Sequence, residues 1–248
     1  MKLKTDGLIL REQNTGESDR LVTVLTGDCG VVRAFVHSAR KVKSNMLSST
    51  ALLTYSSFTL YKGKDSFNIS DAQPLEVFFE LRSDVTKLAL AQYFCELAAE
   101  LSPQEGDGTA SREYLRVVLN ALHFLAKEKK PPVLLKAVVE LRLMSLNGYM
   151  PDLVACGECG EYITDVMFLD LVTGSLYCKN CRPAGDASEL SSEVVSAMRH
   201  IALSDIEKLF FFSLSEKGLS ELEELTEKYL ILRTQHAYKT LDFYKAVR

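Results

Sequence analysis

Four of the six cysteines fall into two C-x-x-C pairs, Cys156 with Cys159 and Cys178 with Cys181, separated by eighteen residues. Thiolates at this spacing are a tetrahedral zinc donor set, each pair reaching one ion from a tight turn. Gly157 and Gly160 offer such turns backbone freedom. Between the pairs, "YITDVMFLDLVTGSLY" reads as two apolar runs joined by a Thr-Gly turn, so a hairpin would carry the second pair to the first. Four sulfurs close the tetrahedron and leave no position for water or substrate, which points to a structural ion rather than a hydrolytic one. Tyr177 stands where a zinc deaminase needs proline before the second pair. Phosphate reading by this segment is disfavoured by Glu158, Glu161, Asp165 and Asp170 against Lys179 alone. Cys29 and Cys95 are isolated, and Cys95 reads as a small core residue of an apolar helix.

A second constellation is electrostatic. The net charge is −4, yet residues 29–64 carry Arg33, Arg40, Lys41, Lys43, Lys62 and Lys64 and not one carboxylate. A phosphate feels charge over a Debye length of about 8 Å, so this local excess outweighs the global sign. The six cations are the candidate DNA-binding residues, with Phe35, Tyr55, Phe58 and Tyr61 available for base stacking. A solvated loop beside core aromatics is the competing reading.

The elements that must position these groups change character near residue 80. Before it, "GLILREQ", "RLVTVLT", "GVVRAFVHS", "ALLTYSSFTLY" and "SFNISDAQPLEVFF" are short β-branched or aromatic runs between Gly, Asn and Asp breaks. Five strands without an intervening helical period predict a five-stranded OB-fold barrel, although spacing alone leaves an SH3-like barrel open. From Ser83, a candidate N-cap, the period becomes helical: residues 84–101, then 111–130 up to Pro131, then 133–148 ending at Gly148. A polar link, "RPAGDASELSSE", follows the cysteines, and helical pattern resumes from Glu193. The expected architecture is α+β and multidomain: an N-terminal OB-fold domain over 1–80, then a helical domain over 81–248 with an inserted four-cysteine zinc ribbon at 154–183.

Composition bounds the function classes. With 248 residues, 47% of them hydrophobic, the chain can bury a sizeable core. No apolar run approaches the roughly 18 residues of a membrane span, and the first residues lack the apolar core of a signal peptide. The expected location is cytoplasmic, where reduced thiols favour metal over disulfides. His37, His123, His200 and His236 stand far apart, and no nucleophile elbow, phosphate loop, dinucleotide fingerprint or H-E-x-x-H occurs. A non-enzyme is expected.

Three stretches resemble the RecO family of bacterial recombination mediators: "GLILREQNTGESDRLVTVLTGDCGVVRAFVHSARKVKS", "ELRLMSLNGYMPDLVACGECG" and "YLILRTQHAYKTLDFY". The middle stretch is the most specific, because Gly148, Tyr149, Pro151, Asp152 and Leu153 lead directly into Cys156 and Cys159. The family usually carries glycine where this chain has Ser38. The resemblance implies one structural zinc, binding to single- and double-stranded DNA, and annealing of complementary strands, including strands coated by single-stranded DNA-binding protein (SSB). It also implies partnership with RecR, indirect action on RecA loading, a nucleoid-associated location, and an SSB-tail contact near the helix that carries Lys136 and Arg142. A zinc-stapled interaction scaffold without direct DNA binding is the alternative.

Overall fold

The computed structural model describes every residue except 1, 40–45, 64–65, 105–107, 163, 184 and 186. The chain divides into two compact units, one of residues 1–129 with 238–248 and one of residues 130–237.

In the first unit, strands β1 (Lys2–Thr15), β2 (Asp19–Thr26), β3 (Gly30–Val36), β4 (Thr54–Lys62) and β5 (Phe67–Val77) pair in the cyclic order β1-β2-β3-β5-β4. All neighbours are antiparallel except β3 and β5, whose parallel seam is two pairs long, Ala34 with Phe67 and Phe35 with Asn68. Alternation on β4 aims Ser56, Phe58 and Leu60 inward. Phe58 and Leu60 join Ile9, Val22, Val32, Ala34, Phe67 and Ile69 in one core. On β1 the alternation fails. Leu8, Ile9 and Leu10 are all buried, because helices pack on the outside of this strand. Its register shifts between Ile9 and Arg11, a bulge that re-aims the strand's exposed end.

Helix α1 (Met46–Ser49) precedes β4, and α2 (Val85–Leu101), α3 (Gly108–Ala126) and α7 (Lys239–Val247) belong to the same unit. The cap of α2 is Asp84 rather than Ser83. Its carboxylate accepts from the amides of Thr86 at 2.9 Å and Lys87 at 3.0 Å, while the Ser83 hydroxyl donates to the Glu80 carbonyl.

The second unit holds α4 (Pro132–Met144), one π-type turn (Ser145–Tyr149), β6 (Val166–Asp170), β7 (Leu176–Cys178), β8 (Ala187–Ser191), α5 (Ser192–Leu203) and α6 (Glu216–Thr234). Every α4 residue from Leu134 to Met144 is buried, which makes this helix the axis of the unit. The three strands form a sheet in the order β7-β6-β8.

The sequence-based plan, an OB-fold barrel followed by a helical domain with an inserted zinc ribbon, is therefore corrected. The compact unit that holds the five strands also takes in α2, α3 and the C-terminal α7. The ring of strands is not a continuous antiparallel ladder, because the β3–β5 seam is parallel and carries only two pairs. The cysteine element is a three-stranded sheet rather than a lone hairpin, because the supposed polar link supplies β8, antiparallel to β6 from Ala187 to Ser191.

Candidate metal centre and nucleic-acid interface

The sulfurs of Cys156, Cys159, Cys178 and Cys181 all lie within 4.8 Å of one another, and Cys159 Sγ stands 3.7 Å from Cys178 Sγ. Sulfurs bound tetrahedrally at ~2.3 Å from one ion would be about 3.8 Å apart, so the donor set fits one zinc-sized ion. Among the described residues it is the one cluster of cysteine, histidine and carboxylate groups with metal-ligand geometry.

Local backbone chemistry builds the site. In the first knuckle the Cys156 amide donates to the Glu161 carbonyl at 2.8 Å and the Gly160 amide donates back to Cys156 O at 2.9 Å. Gly160 closes this turn at φ +75°, a conformation glycine adopts without Cβ strain; Gly157 has no such requirement. The Gly157 amide instead donates to Leu176 O of β7, tying the first knuckle to the strand that ends at Cys178. Burial pushes the Cys156 thiol up, but backbone amides of Cys159, Cys178 and Glu158 outweigh it and bring it down to about 6. Cys181 is pushed up to about 12, first by hydrogen bonding with the Cys159 thiol. A dication held by the four sulfurs would displace their protons.

Two arginines fasten this element to helices, and neither is visible in the cysteine pattern. Arg199 of α5 donates to the carbonyls of Leu153 at 2.6 Å, Val154 at 3.1 Å and Tyr162 at 2.5 Å. Its guanidinium also stacks 4.0 Å from the Tyr162 ring centroid. Arg233 of α6 donates to Val172 O at the β6–β7 turn and lies over the rings of Tyr149 and Tyr229. In that turn Asp170 Oδ1 accepts from the amides of Val172 and Thr173. Gly174 has φ +77°, and a Cβ there would meet the Tyr229 hydroxyl at 2.8 Å. The expected Thr-Gly turn forms for this steric reason.

Of the expected basic residues, two fall on described strands. Arg33 is exposed on β3 and Lys62 is exposed at the end of β4. Lys62 pairs in register with Phe67, which pairs with Ala34 beside Arg33, so both cations sit at the same end of the β3–β5 seam. Lys62 Nζ stands 5.9 Å from the Phe67 ring centroid. Arg40, Lys41, Lys43 and Lys64 lie outside the described residues.

The residues on either side of the basic segment 40–45 are held by two consecutive residues of β2. The Asp19 carboxylate accepts from Ser38 N at 2.8 Å and faces His37 Nδ1 at 3.0 Å. Its pKa is held below the ordinary value of 3.8, first by the Ser38 amide and then by His37. Arg20, buried, pairs with Glu12 at 3.1 Å and donates to the carbonyls of Leu47 and Thr50. Of the aromatics, Phe58 is a core residue at 1% exposure and cannot stack on a base, Phe35 and Tyr55 are half-buried, and Tyr61 is 41% exposed.

Lys136 and Arg142, expected to face a protein partner, are corrected by burial. Lys136 is fully enclosed and pairs with Glu140 at 2.9 Å and Glu227 at 3.0 Å. Burial lowers its pKa, but the two carboxylates outweigh burial and keep it raised. Arg142 donates to the carbonyls of Ile201 and Ala202. Neither side chain presents its charge at the surface.

The first unit carries a five-stranded ring, and the second a four-cysteine cluster able to coordinate one metal ion with no sulfur position left for substrate. Comparison with known proteins places the chain in a family. The profile of the recombination protein O N-terminal region matches residues 1–78, and that of its C-terminal region matches residues 82–242. A DNA repair protein RecO of Acetivibrio thermocellus is 32% identical over 99% of this chain and 97% of its own length. Another, from Caldicellulosiruptor bescii, is 30% identical over the full length of both chains, and one from Symbiobacterium thermophilum is 29% identical over 98% and 96%. The chain belongs to the RecO family of DNA-repair proteins. That family has a mediator role in DNA repair and recombination and is non-catalytic. Among the described residues no helix is long and apolar enough to cross a membrane.

Proposed function

We propose that this protein binds single- and double-stranded DNA through the basic run of its N-terminal unit, anneals complementary strands, and helps load recombinase onto SSB-coated DNA. The observation that carries this reading is the carboxylate-free run from Cys29 to Lys64, in a chain whose relatives are DNA repair proteins. Arg33, Arg40, Lys41, Lys43, Lys62 and Lys64 hold phosphates and release counterions, leaving base edges free to pair. The cysteines hold one structural Zn2+, a choice supported by four sulfurs at tetrahedral spacing. RecR and SSB are the direct protein partners and RecA the indirect one, in the nucleoid-associated cytoplasm.

Annealing of SSB-coated complementary oligonucleotides, followed at two salt concentrations, tests this. Wild-type protein accelerates annealing, less at the higher salt. The variant with Arg40, Lys41 and Lys43 all changed to Glu loses annealing while melting at the wild-type temperature. Unchanged DNA affinity in that triple variant overturns the assignment.

A further inference from the structure

Between β8 and α6 lies a cavity that neither the cysteine centre nor the basic run uses. Strand β8 is an outer strand of its sheet. The cavity, of about 240 Å3, is bounded by Glu189 and Leu190 of this strand and by Glu221, Glu224, Leu225 and Lys228 of α6. Leu190 and Leu225 are buried and give it an apolar floor, while Glu189 and Glu224 are exposed at its rim. Glu221 accepts from the Ser191 amide at 2.8 Å and the Ser191 hydroxyl at 3.3 Å. Both donors are neutral, so its charge is not cancelled. Glu224 pairs with Lys228 at 2.6 Å, but both side chains are well exposed, and such a surface pair contributes little. Three carboxylates thus surround the cavity against one ammonium that is easily displaced.

The register of β8 adds a main-chain feature. The Ser191 amide goes to Glu221 and the Ala187 amide to Gly185 O at 3.1 Å, so neither is given to β6. Pairing alternates along an antiparallel strand, so Glu189, midway between them, also turns its amide and carbonyl away from β6.

We propose that this cavity receives an arginine side chain from an extended segment of a partner polypeptide. An apolar floor under an acidic rim matches the two halves of that side chain, whose methylene stem covers apolar surface while its charged head stays among polar groups. The planar guanidinium fork can bridge two carboxylates at once, which an ammonium cannot. The volume is below the ~300–1,000 Å3 of sites that enclose whole small-molecule ligands, and it suits one long side chain. Free arginine is disfavoured, because its own carboxylate would meet the acidic rim. A polypeptide carries none at that position, and its main chain can pair with the outward amide and carbonyl of Glu189.

The test measures anisotropy of a fluorescent, end-blocked Thr-Val-Arg-Val-Thr peptide and of its twin with citrulline, the neutral isostere, in place of arginine. Full-length wild-type protein is compared with Glu189→Gln, Glu224→Gln, Lys228→Ala and, as a control for net charge, Glu216→Gln in the first turn of α6. Wild type prefers the arginine peptide on the order of tenfold, the scale of one charge-assisted hydrogen bond. Glu189→Gln and Glu224→Gln each lose most of that preference while melting at the wild-type temperature. Lys228→Ala strengthens binding several-fold, and Glu216→Gln leaves it unchanged. Equal affinity for the two peptides overturns the site. So does a loss in Glu216→Gln as large as that in Glu224→Gln, which would show attraction to diffuse charge. Displacement of the peptide by spermidine as readily as by unlabelled peptide overturns the polypeptide partner and assigns the cavity to a free polyamine.

Discussion

Ser38 occupies the left-handed region at φ +54°, two residues before the basic segment that begins at Arg40, and its amide is fixed by the Asp19 carboxylate. A Cβ in this region costs roughly 1–2 kcal/mol, which glycine avoids at the expense of unfolded-chain entropy. A glycine at this position would avoid that cost, and serine is tolerated here because Asp19 holds the turn. Ser38→Gly is expected to be neutral or to stabilise by up to ~1 kcal/mol in chemical denaturation. Ser38→Val, β-branched at positive φ, is expected to cost about 2 kcal/mol; equal stabilities of the two variants would mean that the turn carries no strain. At this scale the four cysteines were legible, because ligand type and spacing are both written along the chain. Burial of Lys136 was not. A lysine inside an apolar helix looks like a snorkelling surface residue until Glu227, far along the chain, is found beside it.

The cysteine element shows where periodicity succeeds and where it stops. Its hairpin was readable from two apolar runs and a Thr-Gly turn. Strand β8 was not, because "ASELS" is polar and short and becomes a strand only when β6 offers it an edge. Arg199 was hidden for the same reason. In sequence it is one more cation on an amphipathic helix, whereas in space it satisfies three carbonyls around the first knuckle. Loops of this kind contain little apolar surface, so charge-assisted hydrogen bonds must hold them, together with the ion that the four cysteines would coordinate. Arg199→Ala is expected to accelerate zinc release at least several-fold, as read by a colorimetric chelator after thiol modification. Arg199→Lys should rescue it only in part, because an ammonium cannot reproduce the planar fork over Tyr162. Zinc release at the wild-type rate in Arg199→Ala would show that the knuckle stands on its metal alone.

The C-terminal residues return to the compact unit in which the chain began, so the compact units do not coincide with the family profiles' division near residue 80. Helical period identifies α2 and α7 as helices but says nothing about which core each completes; that depends on pairings far apart in sequence. Tyr238 meets Tyr93 edge to face at 5.8 Å, the Thr240 amide donates to Glu96, and the Thr86 hydroxyl donates to Val247 O. Tyr238, Leu241 and Tyr244 are each at most 2% exposed. At about 1.5–3 kcal/mol per buried large side chain, removing the three forfeits on the order of 5 kcal/mol. That is comparable with the ~5–15 kcal/mol net stability of a typical domain. A chain ending at Ala237 keeps every candidate DNA-binding residue and all four cysteines. It is nevertheless expected to lose cooperative melting of the unit that carries the five strands, and DNA affinity with it, while retaining one zinc per chain because the cysteines lie in the other unit. A truncated protein with wild-type melting and wild-type DNA affinity would show that α7 lies on the first unit without supporting it.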